Sequence, residues 1–116
     1  MRASMNPHDE SPVCKHFQKA AELVGKRWVP QLVHAMRQGP RRFSDLTDGI
    51  QSISDHVLSQ RLKELELEGI VIRTVTPSTP VCIRYGLTER GEDLARVMSE
   101  LQGWAERWAL AEPQPV

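Results

Sequence analysis

The feature that most restricts the fold of this chain is a polar-faced helix predicted between Ser54 and Gly69. Ser54 is a favourable N-cap residue, and Asp55 puts a negative charge in the first turn, where the helix dipole stabilises it. Gly69 ends the helix because glycine readily takes the left-handed conformation at a helix C-terminus. The apolar stripe at helical spacing consists of Val57, Leu58, Leu62 and Leu65. The opposite face is polar, so one side packs on a core and the other is left for solvent or a partner.

Three shorter helices are predicted ahead of this one. Residues 16–24 carry apolar side chains at helical spacing. Residues 28–37 hold Pro30 in the first turn, where its missing N–H is tolerated. A short helix over residues 44–48 and a turn over residues 49–53 then lead into the polar-faced helix. A short helix, a tight turn and a second helix with a polar face form the helix-turn-helix pattern.

Two β-rich runs and one long helix complete the chain. Residues 70–75 and 81–85 are rich in β-branched side chains and flank a proline-bearing loop, so they predict a hairpin with a projecting tip. Thr88 is the predicted N-cap of a helix of about 22 residues. Its apolar stripe comprises Leu94, Val97, Met98, Leu101, Trp104, Ala105 and Trp108. This order of elements predicts a mainly α fold with a small β-hairpin, namely a winged helix-turn-helix.

The length of 116 residues fits one domain, predicted over residues 13–110, with a flexible tail over residues 1–12 and a second tail over residues 111–116. One long helix cannot cover its whole apolar stripe on so small a domain, so the stripe predicts a seam between two subunits. The alternative is that the same side chains form intramolecular core. They also suit the wall of a small-molecule cavity between subunits.

Basic residues are concentrated in one part of the chain, although the formal net charge is zero. Residues 14–42 contain seven basic side chains and a single acid, Glu22, whereas the remainder is acidic on balance. One basic face neutralises DNA phosphates whatever the total charge. Charge alone fits a solvated surface equally well.

The helix-turn-helix pattern gives the polar residues candidate roles in DNA binding. The N-terminal turn of the second helix comes closest to base edges in a major groove about 12 Å wide. Gln60 offers a donor and an acceptor to adenine, and Lys63 lies further along the helix, where phosphate is nearer. Arg41 and Arg42 precede the short helix, where they are expected to clamp adjacent phosphates. Arg73 and Arg84 flank the tip of the hairpin. The candidate DNA-binding residues are Arg41, Arg42, Ser54, Asp55, His56, Ser59, Gln60, Lys63, Arg73, Thr76, Ser78, Thr79 and Arg84.

Four sequence blocks resemble the HxlR-type family of winged-helix transcriptional regulators. They are GKRW at 25–28, GPRRFSDL at 39–46, ISDHVLSQRLKELELEGIVIR at 53–73 and YGLTERG at 85–91. The resemblance extends from residue 14 to about residue 108, in the order and spacing of the family. It implies a homodimeric repressor or activator that binds near-palindromic double-stranded DNA through the helix after Ser54 and the wing. It also implies that the first helix, including Phe17, joins the last helix in the dimer contact.

Cys14 sits where many members of that family carry a cysteine, which in some relatives senses electrophiles or oxidants. The family often has Cys-Pro at this point, whereas this chain has Cys14-Lys15. Lys15, His16 and the following helix N-terminus favour the reactive thiolate, so Cys14 is a candidate redox sensor for a small electrophile. The alternative is a structural cysteine without signalling, which is the expectation for Cys82. Arg84 replaces the acidic residue that is common in the family before the wing tyrosine, and this adds positive charge near the wing.

Other classes of function fit the sequence less well. Catalysis is not expected, because the histidines show no triad-like grouping and no glycine-rich phosphate loop or paired-carboxylate motif is present. Cys14 and His16 supply two metal ligands, but nothing else clusters at structural zinc spacing, so no metal or cofactor is expected. A winged helix that binds a protein, or a regulator that responds to a small ligand or metal without thiol sensing, stays an alternative. No apolar run long enough for a membrane span or a signal peptide occurs, which predicts a cytoplasmic protein with reduced thiols.

Overall fold

The computed structural model describes residues 12–109, which form five helices and one antiparallel hairpin. The helices are α1 (Lys15–Val24), α2 (Val29–Ala35), α3 (Phe43–Gly49), α4 (Asp55–Leu67) and α5 (Glu89–Ala109). The strands are β1 (Val71–Thr76) and β2 (Cys82–Leu87). The predicted order of elements and the mainly α winged helix-turn-helix are confirmed. The predicted tails lie almost entirely outside the described residues, and no helix within residues 12–109 is long and apolar enough to cross a membrane.

Several predicted boundaries differ from the structure by one or two residues, and two of these differences have clear local reasons. The second helix begins at Val29 rather than Trp28, because the backbone of Trp28 is left-handed, with φ of 79°. Trp28 therefore acts as the N-cap, and its carbonyl accepts the first helical hydrogen bond, from the N–H of Leu32 at 2.9 Å. The second strand continues two residues beyond its predicted end, because Leu87 pairs with Val71.

The apolar stripe of α4 is the centre of the core. Leu58, Leu62 and Leu65 are at most 1% exposed, while Val57 is only partly buried against them. Burying each leucine contributes about 1.5–3 kcal/mol relative to leaving it in water. The other fully buried members of the core are Val29, Leu32, Val33, Met36 and Leu46. The stripe predicted from sequence therefore packs against α2 and α3, and this leaves the polar face of α4 on the outside.

The start of α5 is packed tightly against the end of α4. Thr88 caps the helix through its hydroxyl oxygen, which accepts the N–H of Gly91 at 3.1 Å. Its hydroxyl donates to the carbonyl of Gly69 at 2.5 Å, and the N–H of Thr88 donates to the carbonyl oxygen of Ile70 at 3.0 Å. A Cβ at Gly91 would lie 2.2 Å from that oxygen, so only glycine fits here. The YGLTERG block thus joins the wing to the long helix.

The loop between α2 and α3 is attached to the hairpin. The N–H and C=O of Arg41 exchange hydrogen bonds with Tyr85, both at 2.8 Å. Pro40 lies against Gly86, where an added Cβ would be 3.3 Å from the proline ring. The wing is therefore held by backbone hydrogen bonds to the segment that begins the helix-turn-helix.

Candidate nucleic-acid interface

The exposed face of α4 carries the residues that were predicted to read bases. Ser54 caps the helix, with its hydroxyl oxygen accepting the N–H of Val57 at 3.1 Å, so this side chain is engaged in folding. Asp55 is exposed in the first turn. The side chains that share the outer face at three- and four-residue spacing are His56, Ser59, Gln60 and Lys63, all exposed. This row is a continuous set of donors and acceptors of the kind that base edges and phosphates require.

Arg61 holds α4 in place and was not among the predicted site residues. Its Nε donates to the carbonyl of Arg27 at 2.9 Å, across 34 positions of sequence. Its Nη1 lies 3.3 Å from a carboxylate oxygen of Glu64, and Lys26 Nζ lies 3.8 Å from the same group. The segment between α1 and α2 is therefore joined to α4. Sequence periodicity carries no signal for such a contact, because the partner is a distant backbone carbonyl.

The two adjacent arginines predicted to clamp phosphates have different environments. Arg41 is partly buried, and its Nε donates to the carbonyl of Ala35 at 3.2 Å while its backbone pairs with Tyr85. Arg42 has an exposed side chain, and its backbone N–H donates to a carboxylate oxygen of Asp45 at 3.0 Å. Of the two arginines predicted to clamp phosphates, Arg41 therefore stabilises the fold. Only Arg42 extends its guanidinium into solvent.

Arg42 lies next to the tip of the wing. It shares an open cavity of about 410 Å³ with residues 78–83. The hydroxyl of Ser78 donates to the carbonyl of Pro80 at 2.7 Å, and Ser78, Thr76 and Thr79 are all exposed. A cation beside exposed hydroxyls forms a surface suited to a phosphate group.

The two arginines of the hairpin do not come together. Arg73 pairs with Tyr85, and Arg84 pairs with Thr74. Cross-strand partners share a face of the sheet and successive pairs alternate, so Arg73 and Arg84 project from opposite faces. Both are exposed. The sequence predicted that both arginines flank the tip of the hairpin, and the strand register places them on opposite faces of it.

Cys14 stands at the N-terminus of α1 and is exposed. Its Sγ accepts a hydrogen bond from the N–H of Phe17 at 3.3 Å, so the thiol itself caps the helix. Cys82 is half-buried in β2 opposite Thr76. Within residues 12–109, no group of three or more histidine, cysteine, aspartate or glutamate side chains is arranged to hold a metal ion.

Exposed apolar side chains occur on both α1 and α5. α1 has no buried residue, and Phe17 is 63% exposed. On α5 the exposed apolar side chains are Val97, Leu101, Trp104 and Trp108. Met98 was predicted in this seam but is 5% exposed in the intrachain core, because it shares the inner face of α5 with Gly91 and Ala95. Leu94 is partly buried against the same core.

The chain is similar in sequence to known helix-turn-helix regulators. The family profile described as HxlR-like helix-turn-helix matches residues 23–113. In sequence the chain is similar to the HTH-type regulator YvaP of Bacillus subtilis (strain 168), an uncharacterized protein, with 45% identity over 100 residues that cover 86% of this chain and 93% of YvaP. It is also similar to the HTH-type regulator YodB of the same organism, with 44% identity over 96 residues that cover 83% of this chain and 86% of YodB.

Two solved structures of regulators share the fold. The reduced form of YodB from B. subtilis matches with a TM-score of 0.76 and 42% identity, covering 87% of this chain and 99% of that one. The redox regulator HypR in its reduced form matches with a TM-score of 0.77 and 29% identity, covering 82% of this chain and 94% of that one. YodB has also been solved after diamide treatment and with quinone bound, and HypR has been solved oxidised.

Proposed function

Because the chain belongs to the HxlR-like helix-turn-helix family of transcriptional regulators, we propose that it binds a near-palindromic operator as a homodimer and represses transcription. The observation that carries the proposal is the uninterrupted polar face of α4, composed of His56, Ser59, Gln60 and Lys63. Three buried leucines and the Arg61 hydrogen bond hold the opposite side of that helix rigidly. A rigid helix with a polar outer face suits the major groove.

In this proposal specificity and affinity come from different elements. Gln60 reads adenine through a donor and an acceptor, and His56 and Ser59 accept or donate according to the base. α4 carries more acids than bases towards its C-terminal end, so it attracts phosphate weakly. Arg42 and the exposed threonines of the wing supply phosphate contacts instead.

The homodimer is proposed from the exposed apolar side chains of α1 and α5. Val97, Leu101, Trp104 and Trp108 follow one line along about 16 Å of helix and stay about half exposed. Phe17 adds one large exposed apolar side chain from α1. Exposed apolar side chains in this number on a small domain indicate a contact with another protein chain. A two-fold symmetric contact would position the two α4 helices of the dimer to enter successive major grooves of one DNA duplex.

The experiment is a selection of bound duplexes from a random library, followed by affinity measurements at several salt concentrations. A two-fold symmetric site with half-sites about one helical turn apart is expected. Gln60→Ala is expected to relax base preference within each half-site. Arg42→Gln is expected to lower the slope of log affinity against log salt by about one unit for each phosphate that the arginine neutralises.

Arg96→Gln is the matched control, because it removes the same charge from an exposed position on α5. It should leave both selectivity and salt slope unchanged. If no duplex is enriched and binding shows no salt dependence, a protein-binding winged helix becomes the better assignment. Sedimentation at micromolar concentration tests the dimer separately, and a monomer there would contradict it.

We further propose that Cys14 makes the regulator sensitive to oxidants. YodB and HypR, which the chain resembles, have been solved in reduced and in oxidant-treated or oxidised forms. Cys14 is exposed and caps α1, so bonding its sulfur to another group removes a helix cap beside the dimer surface. An oxidant such as diamide takes two electrons and two protons as Cys14 forms a disulfide with a second thiol.

The sensor is tested by measuring operator affinity before and after diamide, with Cys14→Ser and Cys82→Ser as a matched pair. Loss of affinity in the wild type and in Cys82→Ser, but not in Cys14→Ser, is the expected pattern. Mass spectrometry identifies the second thiol, either Cys14 of the partner subunit or a low-molecular-weight thiol. Equal affinity before and after oxidation in the wild type would remove Cys14 from the mechanism and leave the DNA-binding proposal intact.

A further inference from the structure

A cleft between α2 and the end of α3 is lined by none of the residues proposed to bind DNA or to form the dimer. The cleft is open to solvent, has a volume of about 430 Å³ and is lined mainly by Trp28, Gln31, His34, Gly49, Ile50 and Gln51. This volume falls in the range of pockets that bind small organic molecules, about 300–1,000 Å³. The floor is apolar, since Ile50 is buried, while the amides of Gln31 and Gln51 are exposed at the rim. An apolar floor with a few polar groups is the usual composition of a ligand site.

His34 contributes a polar atom that has no partner. Its Nε2 accepts a hydrogen bond from Arg37 Nε at 3.4 Å, which assigns the proton of the neutral ring to Nδ1. Within the described part of the chain, Nδ1 is shielded from solvent and no hydrogen-bond partner reaches it. A buried donor without a partner is unfavourable, so an acceptor that entered the cleft would be stabilised there. The ring has to turn slightly towards the cleft for this bond to form.

Trp28 gives the cleft an aromatic wall in a strained position. A large side chain at φ of 79° is uncommon, and strain of this kind concentrates at ligand clamps and switch segments. The Arg27 guanidinium lies 4.8 Å from the centre of the Trp28 ring, which fixes the orientation of the indole. An indole held in this way offers a flat surface on which a planar ring stacks.

We propose that this cleft binds a small planar aromatic molecule that carries one hydrogen-bond acceptor. The ring stacks on Trp28, and the acceptor takes the free N–H of His34. The binding step requires neither DNA nor Cys14, so it is independent of the proposed function.

The residues that line the cleft are connected to α4 by two neighbouring segments of the chain. Gly49 to Gln51 lead directly into the turn before α4, and Arg27, next to Trp28, accepts the hydrogen bond of Arg61 from α4. A ligand that moves Trp28 or Gln51 therefore shifts the helix that carries the polar face. If α4 reads the operator as proposed, occupancy of the cleft changes operator affinity.

The test is a titration of the full chain with quinoline, a planar bicycle with one acceptor nitrogen, followed by proton–nitrogen NMR. The chain has three tryptophan indoles, one in the cleft and two on α5, so binding at either place is distinguishable. Saturable shifts of the Trp28 indole and of the Gln31 and Gln51 amides are expected, without equivalent shifts at Trp104 and Trp108. Shifts confined to Trp104 and Trp108, or no saturable shift at Trp28, would overturn the proposal.

Gly49→Leu blocks the cleft without disturbing the backbone. A Cβ at Gly49 meets no atom within 4 Å, and its φ is not left-handed. At least a tenfold loss of quinoline affinity is expected. Ser44→Leu, an exposed position near the other end of α3, is the matched control and should bind as the wild type does. Wild-type affinity in Gly49→Leu would place the ligand elsewhere and refute the assignment.

A second comparison tests the acceptor. Naphthalene has the shape of quinoline without the nitrogen, so it should bind severalfold more weakly to the wild-type chain. In His34→Leu the two compounds should bind equally. If quinoline and naphthalene bind the wild type equally, His34 does not recognise the ligand and the proposed chemistry is wrong.

Discussion

Replacing Gly91 by alanine is expected to destabilise the protein, although alanine is the better helix former. The added Cβ would lie 2.2 Å from the carbonyl oxygen of Ile70, which is backbone and cannot rotate away. The two atoms must separate by about 0.8 Å or more to reach a distance that real Cβ atoms tolerate. That movement separates α5 from the end of α4.

The magnitude follows from the two hydrogen bonds that Thr88 makes at this junction. Its N–H donates to the Ile70 carbonyl at 3.0 Å, and its hydroxyl donates to the Gly69 carbonyl at 2.5 Å. Each is worth about 0.5–1.5 kcal/mol, and overpacking adds about 1–3 kcal/mol. The gain from replacing a helical glycine offsets about 0.5–1 kcal/mol of this. The expected net loss in the free energy of unfolding is about 1–5 kcal/mol, a large part of the stability of a small protein.

Urea unfolding followed by circular dichroism, at one fixed protein concentration, measures the effect. Gly103→Ala is the matched control, since it makes the same change in the same helix, where the new Cβ meets only the end of the Arg107 side chain at 3.6 Å. It should stabilise the protein by about 0.5–1 kcal/mol. If Gly91→Ala were as stable as the wild type, the close approach of α5 to Ile70 would not control this junction and the reasoning would fail.

Three further predictions test other features of the fold. Leu58→Ala should lower the free energy of unfolding by about 2–5 kcal/mol in urea denaturation, because it opens a cavity at a fully buried position; a loss below about 1 kcal/mol would contradict that packing. Ser54→Ala should cost about 1 kcal/mol and increase amide hydrogen exchange at Val57, and unchanged exchange there would argue against the cap. Arg41→Ala should lower the melting temperature, because it removes a hydrogen bond to the carboxyl end of α2, whereas Arg42→Ala should leave it nearly unchanged. Equal melting temperatures in the two variants would refute the distinction between these arginines.

Much of this fold follows from patterns within short stretches of sequence. The order of the elements, the cap at Ser54 and the buried stripe of α4 were all predictable, because capping and helical periodicity act over a few residues. The boundary at Trp28 was not predictable, because a left-handed tryptophan contradicts its local preference and is imposed by its surroundings.

Only part of the candidate DNA-binding site was predictable from the sequence. The polar face of α4 was visible in the sequence, since residues three and four apart lie on one side of a helix. The separate environments of Arg41 and Arg42 were not visible, because the partners of Arg41 are the Ala35 carbonyl and the backbone of Tyr85. The placement of Met98 also depends on how α5 is rotated against α2, which decides the face that is buried.

The sequence alone thus determined that a capped, polar-faced helix follows a tight turn and precedes a hairpin and a long apolar-striped helix. The tertiary structure decided what holds that helix and what lies beside it. The Arg61 bond to Arg27, the close approach of Gly91 to Ile70, and the cleft beside His34 each join residues far apart in the chain. Local propensities do not encode such distances, since they arise only when the packed core sets the position of each element against the others.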